Sequence, residues 1–460
     1  MALDSRPRLA SHPSHAASLV ALTLLLVIGF TPGPADAQRR DRFRTRGVPD
    51  RERGASDPSG LVEPGPDPSG PQSDAPTGFD NLTNGYLPQG PPFEEIDDDN
   101  VQALASFNDD RFLFEEFEAI EDGLGPTYNA QSCRECHQNV VTGGGSQVAE
   151  QRTGRLENGR FFESIGGTLI HSRAIHPDIV ERVSPADGVR TFRLSTSTLG
   201  DGFVEAISNS TLLAIRDRQP RAIRGTAVPV PVLEADGQVR IGRFGWKAQH
   251  ASLVSFSADA YLNEMGITTP LLPEENTASG VYVGVGSGYD EVLEPEDDGV
   301  DVVAFADFMR ATKAPPRGEE TADARAGEAI FARIGCEGCH VATIVTAPAG
   351  TAINGGELVV PEALGHKAIH PYSDFLLHDV GSGDGIPVLP GRAYASTASQ
   401  IRTAPLWGLR TRNRLMHDGL ALTPEDAIAR HGGQAAASRA AFARLPAAER
   451  RRVLAFLDSL

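Results

Sequence analysis

Cys133-Arg134-Glu135-Cys136-His137 and Cys336-Glu337-Gly338-Cys339-His340 decide the reading of this 460-residue chain, and together they use all four of its cysteines. C-x-x-C-H is the attachment signature for c-type haem. The chemistry needs that spacing: two thiols add to the two vinyl groups of one haem, and the adjacent histidine offers a nitrogen to the iron from the same loop. Two copies that consume every cysteine point to two covalently held haems. A four-thiolate zinc site is the competing reading. It would leave both histidines unexplained and would join two distant pairs. A thioredoxin-like pair would need a βαβ setting that neither motif has. Disulfides within each pair are a further alternative in an oxidising compartment, which only the two histidines disfavour.

Outward from the motifs, the pattern is mainly helical. Phe107 to Ile120 (FNDDRFLFEEFEAI) carries apolar residues at helical spacing before the first motif, and Asp323 to Ile334 (DARAGEAIFARI) does so before the second. Gly327 and Phe331 share one face of the latter. In small cytochromes c such a helix packs by a glycine against the final helix. Pro446 to Leu460 supplies that final helix, with Val453, Leu454, Phe456, Leu457 and Leu460 as its apolar stripe. The expected fold is therefore mainly α: two cytochrome c-like haem modules with long loop insertions, over 93–317 and 318–460. The second carries a Pro- and Gly-rich inserted loop from Thr346 to Ala395. Val228 to Arg243 alternates around Asp236-Gly237 and predicts a small β-hairpin.

The N-terminus predicts export. Arg6 and Arg8 precede the apolar run Ala17 to Phe30, which is short for a membrane span, and Ala35-Asp36-Ala37 has a small-x-small cleavage pattern. Residues 1–37 read as a signal peptide cut before Gln38, leaving no transmembrane span; an uncleaved anchor is the alternative. The location expected is periplasmic or secreted, where c-type haem attachment takes place. Residues 38–92 are rich in Pro, Gly, Ser, Asp and Arg and predict a disordered linker. The net charge of −19 argues against nucleic acid as a partner. It suits a docking partner with a basic patch, although a solvated acidic surface explains it as well.

The chain resembles the di-haem oxidoreductases related to bacterial cytochrome c peroxidases. Gly125-Pro126-Thr127-Tyr128-Asn129-Ala130 leads into the first motif. Gly242-Arg243-Phe244-Gly245-Trp246-Lys247 is followed by Glu264-Met265-Gly266-Ile267-Thr268. Then come Tyr372 to Asp379 (YSDFLLHD), Pro405-Leu406-Trp407-Gly408-Leu409, His417-Asp418-Gly419 and His431-Gly432-Gly433. The resemblance covers roughly Asn108 to Leu460. It implies a six-coordinate electron-transfer haem in the C-terminal module and a haem in the N-terminal module that reacts with hydrogen peroxide or another small oxidant. It also implies an electron donor such as a small cytochrome or cupredoxin.

His137 and His340 are the proximal ligands by adjacency to the cysteines. In relatives the second haem takes its distal ligand from a helix after the HDG segment, a position held here by His431. Thr423 is the expected N-cap of that helix and Pro424 its first residue. Relatives place Met or Tyr there, and His would make a bis-His haem of lower potential. Met416 is the rival ligand; His366, His370 and His378 also lie downstream, and His417 and Asp418 read as loop-stabilising. At the first haem, Glu205 is the candidate acid that moves a proton across the peroxide bond. An exposed helical Glu is the alternative reading. His171, His176, Gln249 and His250 are further distal candidates. Relatives carry a Trp relay, for which Trp246 and Trp407 are the options, each readable as core. They also carry a Ca²⁺ between the haems, though no loop here requires one. The competing functions are a plain electron carrier and a di-haem enzyme acting on a large substrate, as in related maturases and rubber-cleaving oxygenases.

Overall fold

Each cysteine motif hangs from a helix that crosses a later one. The computed structural model describes residues 70–71, 73–78, 101–388 and 397–460. Through these run ten α-helices: α1 (Leu104–Glu115), α2 (Cys133–Cys136), α3 (Asp201–Glu205), α4 (Asn209–Arg218), α5 (Leu253–Ala260), α6 (Val300–Ala311), α7 (Ala322–Arg333), α8 (Pro424–Ala429), α9 (Ala436–Arg444) and α10 (Ala447–Leu457). Before the first motif, α1 packs on α6: Phe107 meets Phe308 at 5.4 Å and Phe114 meets it at 4.9 Å. Before the second, α7 packs on α10. Thr321 caps α7 by accepting from the Ala324 amide, and Ala324, Gly327, Ile330 and Phe331 form its buried face. At Gly327 the helices touch backbone to backbone: a Cβ there would stand 1.8 Å from the Arg452 carbonyl oxygen. Phe331 lies edge-on to Phe456 at 5.2 Å. The glycine contact read from the sequence is thus present.

The hairpin is present too. Pro229–Val232 pairs antiparallel with Gln238–Ile241, and Asp236 and Gly237 turn the chain with φ of 51° and 75°. More β-structure exists than the sequence suggested. Ala149–Glu157 is the central strand of an antiparallel sheet with Arg160–Glu163, Leu169–Ile170 and Val189–Leu194. These strands leave Leu156 and Phe192 exposed, so they show little of the one-sided alternation that marks a strand.

The inserted stretch from Thr346 is built into the core: Ile353, Val360, Leu364, Phe375 and Leu376 join the main cluster with Phe203, Leu253 and Phe305. Apolar side chains spread among Pro and Gly lack a period, yet they still bury themselves. The 38–92 linker is not wholly unstructured. Ser73–Asp74 pairs parallel with Lys367 and Ala368, and the Gly78 amide donates to the Ala314 carbonyl at 3.1 Å. The signal peptide and most of the linker lie outside the described residues, as does 389–396 of the insertion. No helix among the described residues is long and apolar enough to cross a membrane.

Candidate active site

At the second motif α7 ends, Gly335 turns left-handed (φ 88°) and the loop Cys336–Gly338 presents Cys336, Cys339 and His340. His340 donates from Nδ1 to the Tyr372 carbonyl at 2.9 Å, which leaves Nε2 as the free lone pair. Burial, then the nearby His431, lowers its pKa to about 4, so the imidazole is neutral. His431 follows α8, whose Thr423 cap accepts from the Asp426 amide. Its Nδ1 donates to the Ala427 carbonyl at 2.7 Å, freeing Nε2 in the same way. The two rings lie 6.4 Å apart, centre to centre. An imidazole binds a metal at about 2.0–2.1 Å, so two rings on opposite faces of one ion have centres roughly 6 Å apart. The pair therefore fits a single iron between them. Both rings line an apolar cavity of about 230 Å³ whose lining also includes Arg402, Arg412, Arg414 and Arg439. Guanidinium groups suit the carboxylates of a haem.

Met416 lines the same cavity, in a left-handed turn with φ 67°. Asp418 binds Arg430 through both oxygens, at 2.8 and 2.5 Å, and so ties the HDG turn to the residue before His431. His417 lies buried against Trp246. His378 binds Asp374 at 2.7 Å and approaches the Cys339 sulfur at 3.5 Å. His370 is exposed beside Thr343, and His366 is buried.

At the first motif, Ser132 caps α2 by accepting from the Glu135 amide at 3.2 Å. Burial lowers His137 to about 4 and pushes the Cys136 thiol up to about 12. The ring described against His137 is Phe114, at 6.1 Å. Acids gather around this motif instead. Glu264 and Glu150 stand near Cys136; Glu118 and Asp301 stand near Cys133.

Glu264 sits in a π-helical turn, Tyr261–Met265, that continues α5. Such turns often mark functional sites. Gly266 ends it with φ 74°, and a Cβ there would meet the Gly125 carbonyl oxygen at 2.6 Å. That close approach zips two segments together: Gly125 donates to Met265, and Asn129 and Ala130 both donate to the Glu264 carbonyl. The Asn129 side chain then holds Glu264 Oε2 at 2.9 Å. Burial and the neighbouring Glu150 carboxylate raise the Glu264 pKa well above the ordinary range. Burial acts upward on Glu150 too, but Arg152, bound at 2.6 and 3.1 Å, holds it low. The pair keeps one proton, on Glu264. His250 stands 3.1 Å from Asp259, which also lies in the field of Arg152 and Glu150.

Glu205 is elsewhere. It is fully buried, with Arg310 on Oε2 at 2.7 Å and on Oε1 at 3.0 Å; the Leu253 amide and the Asn354 side chain also donate to Oε1. Burial raises its pKa, but Arg310 more than offsets that. The expectation that Glu205 moves protons is corrected, because an ionised carboxylate closed into the core by an arginine has no route to an oxidant. His171 is engaged at both ring nitrogens, by Glu181 and the Asn263 carbonyl, and His176 is an exposed cap. Gln249 accepts from the Lys247 amide. Trp407 belongs to the main core. Trp246 lines the second cavity and donates from Nε1 to Leu194 at 2.6 Å, next to Ser195 and Thr196 that contact Cys136 and His137. As for Ca²⁺, Glu275, Asp290 and Glu296 bring oxygens within 4.8 Å of one another, each with one buried oxygen lacking a hydrogen-bond partner. An all-oxygen set is the kind a hard cation takes.

A family model described as "Di-haem oxidoreductase, putative peroxidase" matches residues 167–460. The chain belongs to this family. Its matched span holds the second motif, His431 and Glu264, and begins after the first motif. As a di-haem oxidoreductase, the chain is a peroxidase-like enzyme with haem as cofactor. Solved structures with similarity include hydrazine synthase of Kuenenia stuttgartiensis (12% identity over 90% of this chain and 99% of that one, TM-score 0.36). A MauG-like protein associated with microbial copper homeostasis is 13% identical over 85% and 93%, with TM-score 0.35. The diheme peroxidase BthA of Burkholderia thailandensis is 13% identical over 86% and 92%, with TM-score 0.37. At those scores the family rests on the sequence match. No curated protein matches significantly. Glu264 lies inside Glu264-Met265-Gly266-Ile267-Thr268, a segment carrying the family resemblance, and that is its one signal in the sequence.

Proposed function

We propose that this chain is an exported di-haem c-type oxidoreductase that reduces hydrogen peroxide or a similar small oxidant at the first motif, with electrons relayed through the second. Cys133 and Cys136, and Cys336 and Cys339, would hold the haems as thioethers, and His137, His340 and His431 would offer their imidazoles to the irons. The supporting observation is the asymmetry of the motifs. At the second, two neutral imidazoles face each other at 6.4 Å. At the first, the ring described against His137 is Phe114, and the carboxyl pair Glu264 and Glu150 stands near Cys136, with burial and Glu150 raising the Glu264 pKa while Arg152 lowers that of Glu150.

Haem supplies the iron redox couple that the side chains lack. His340 and His431 would together hold the second haem iron between them, which suits electron passage and would leave the oxidant no place there. At the first site Glu264 carries the proton for the departing oxygen, with Oε2 fixed by Asn129. Glu150, kept ionised by Arg152, accepts and returns protons behind it. Acid–base help of this kind contributes roughly a hundred- to ten-thousand-fold. Trp246 offers the crossing between the sites. Export to the periplasm or beyond rests on the N-terminal sequence, and a small cytochrome or cupredoxin is the proposed donor.

The test is purified, exported protein measured by intact mass and by spectra with cyanide and peroxide. Expected are two haem additions on a chain starting near Gln38, one low-spin haem that turns high-spin in His431→Ala, and a first haem that binds cyanide and turns over peroxide. If both haems refuse cyanide and peroxide leaves them unchanged, the protein is an electron carrier. Turnover only when a large organic or protein substrate is added would point to the oxygenase or maturase reading.

A further inference from the structure

The π-helical turn that carries Glu264 also carries Tyr261 at its start. Its ring is 3% exposed, and its hydroxyl donates to Glu118 Oε1 at 2.8 Å, with Asp301 Oδ2 at 3.4 Å. The ring lies edge-on to Phe305 at 5.2 Å, Phe305 edge-on to Phe114 at 6.0 Å, and Phe114 edge-on to His137 at 6.1 Å. An unbroken run of aromatic contacts thus joins a phenol to the proximal histidine of the first motif. Cys133 packs against the same core and lies in the field of Glu118 and Asp301. Of the aromatic side chains in this run, only Tyr261 can release a proton as it releases an electron, and its proton acceptor is already hydrogen-bonded.

Resting on the proposed role of the first motif, we infer that Tyr261 is a one-electron donor to that site, storing an oxidising equivalent from peroxide as a neutral phenoxyl radical. Peroxide takes two electrons and two protons to become two waters. When the second haem has only one electron to give, Tyr261 gives the other through Phe305 and Phe114. Its O–H bond breaks, the electron goes to the first haem site and the proton to the Glu118 carboxylate, which becomes neutral. Re-reduction by the external donor returns electron and proton to the oxygen. Two features support the assignment. Burial and the flanking carboxylates hold the phenol well above its ordinary pKa, so it is protonated at rest. Burial lifts Glu118 to about 7, making it a better base than an ordinary carboxylate. A purely structural Tyr261 would need the hydrogen bond but not the aromatic run to His137.

The test is electron paramagnetic resonance of the fully oxidised holoprotein, frozen after mixing with hydrogen peroxide, with peroxide consumption followed in parallel. Expected is a radical whose hyperfine pattern changes when tyrosine is ring-deuterated, and which is lost in Tyr261→Phe while both haem spectra persist. Glu118→Gln should keep the phenol and slow radical formation about a hundredfold, the low end of acid–base effects. If Tyr261→Phe fails to load haem, deuterated tyrosine together with Glu118→Gln decides. A radical undiminished in Tyr261→Phe, a radical insensitive to tyrosine deuteration, or peroxide consumed with no radical would each overturn the inference. Peroxide neither consumed nor altering the first haem would overturn the proposed function beneath it.

Discussion

Glu205 has Arg310, Leu253 and Asn354 around its two oxygens, all inside the core. Glu264, near the first motif, has Asn129 on Oε2 and the Glu150 carboxylate beside it, and burial and Glu150 outweigh the pull of Arg152. The first environment fixes a charge and the second holds a proton, so the same substitution should have opposite consequences. Glu205→Gln leaves Arg310 with Asp307 as its remaining carboxylate and breaks its buried pair, a change that costs up to about 3–5 kcal/mol. Denaturant unfolding of the holoprotein should show that loss, while turnover per folded, haem-loaded molecule stays unchanged. Glu264→Gln should keep both haems and the unfolding midpoint but slow peroxide turnover by roughly a hundred- to ten-thousand-fold. Normal turnover in a haem-replete Glu264→Gln protein would remove it from the mechanism.

Among the elements, α7 and α10 meet where the chain has no side chain to spare. Their contact at Gly327 sets how far the second motif stands from the elements that bear His431. Gly327→Ala must push the Arg452 backbone aside, since the added carbon would sit 1.8 Å from its oxygen. Overpacking of this kind costs about 1–3 kcal/mol. Both a lower unfolding midpoint and a partial rise in high-spin signal from the second haem are expected, with the first haem's spectrum unaffected. A second haem that stays fully low-spin would show that the helix crossing does not govern the ligand distance. Across the cavity at the second motif, α8 is legible from its Thr423 cap and Pro424. The Asp418–Arg430 pair that anchors its end links it to the HDG turn.

For the whole molecule, buried carboxylates clamp distant segments together. Asp384 binds Arg193 at 2.9 and 2.5 Å and Lys247 at 3.0 Å, joining the four-stranded sheet to the late insertion. Glu205 similarly joins α3 to α6. In both, burial raises the carboxyl pKa, but the facing cations lower it further, so the folded value lies below the unfolded one. Their stabilisation is therefore present above the unfolded value of about 4 and is lost as pH falls through the lower folded value. Urea midpoints should hold near neutral pH and drop steeply below about pH 4.5. Asp384→Asn should lower the neutral midpoint and flatten that acid slope; an acid slope identical to wild type would assign the pH dependence to other groups.

By itself the sequence determined what is local. The two C-x-x-C-H motifs, the helices before them, the Asp236-Gly237 hairpin and the capped helix leading to His431 each depend on residues within a few turns of one another. Spacing, capping and turn chemistry encode such features directly. Only the tertiary structure decided which acid faces the first motif. Asn129 reaches Glu264 across 135 positions, and Arg310 reaches Glu205 across 105. A carboxylate's pKa follows from its neighbours in space, which a linear pattern does not record. The same reason hid the Ala149–Glu157 sheet and the burial of the late insertion: their partners lie far along the chain, and their side chains show no period of their own.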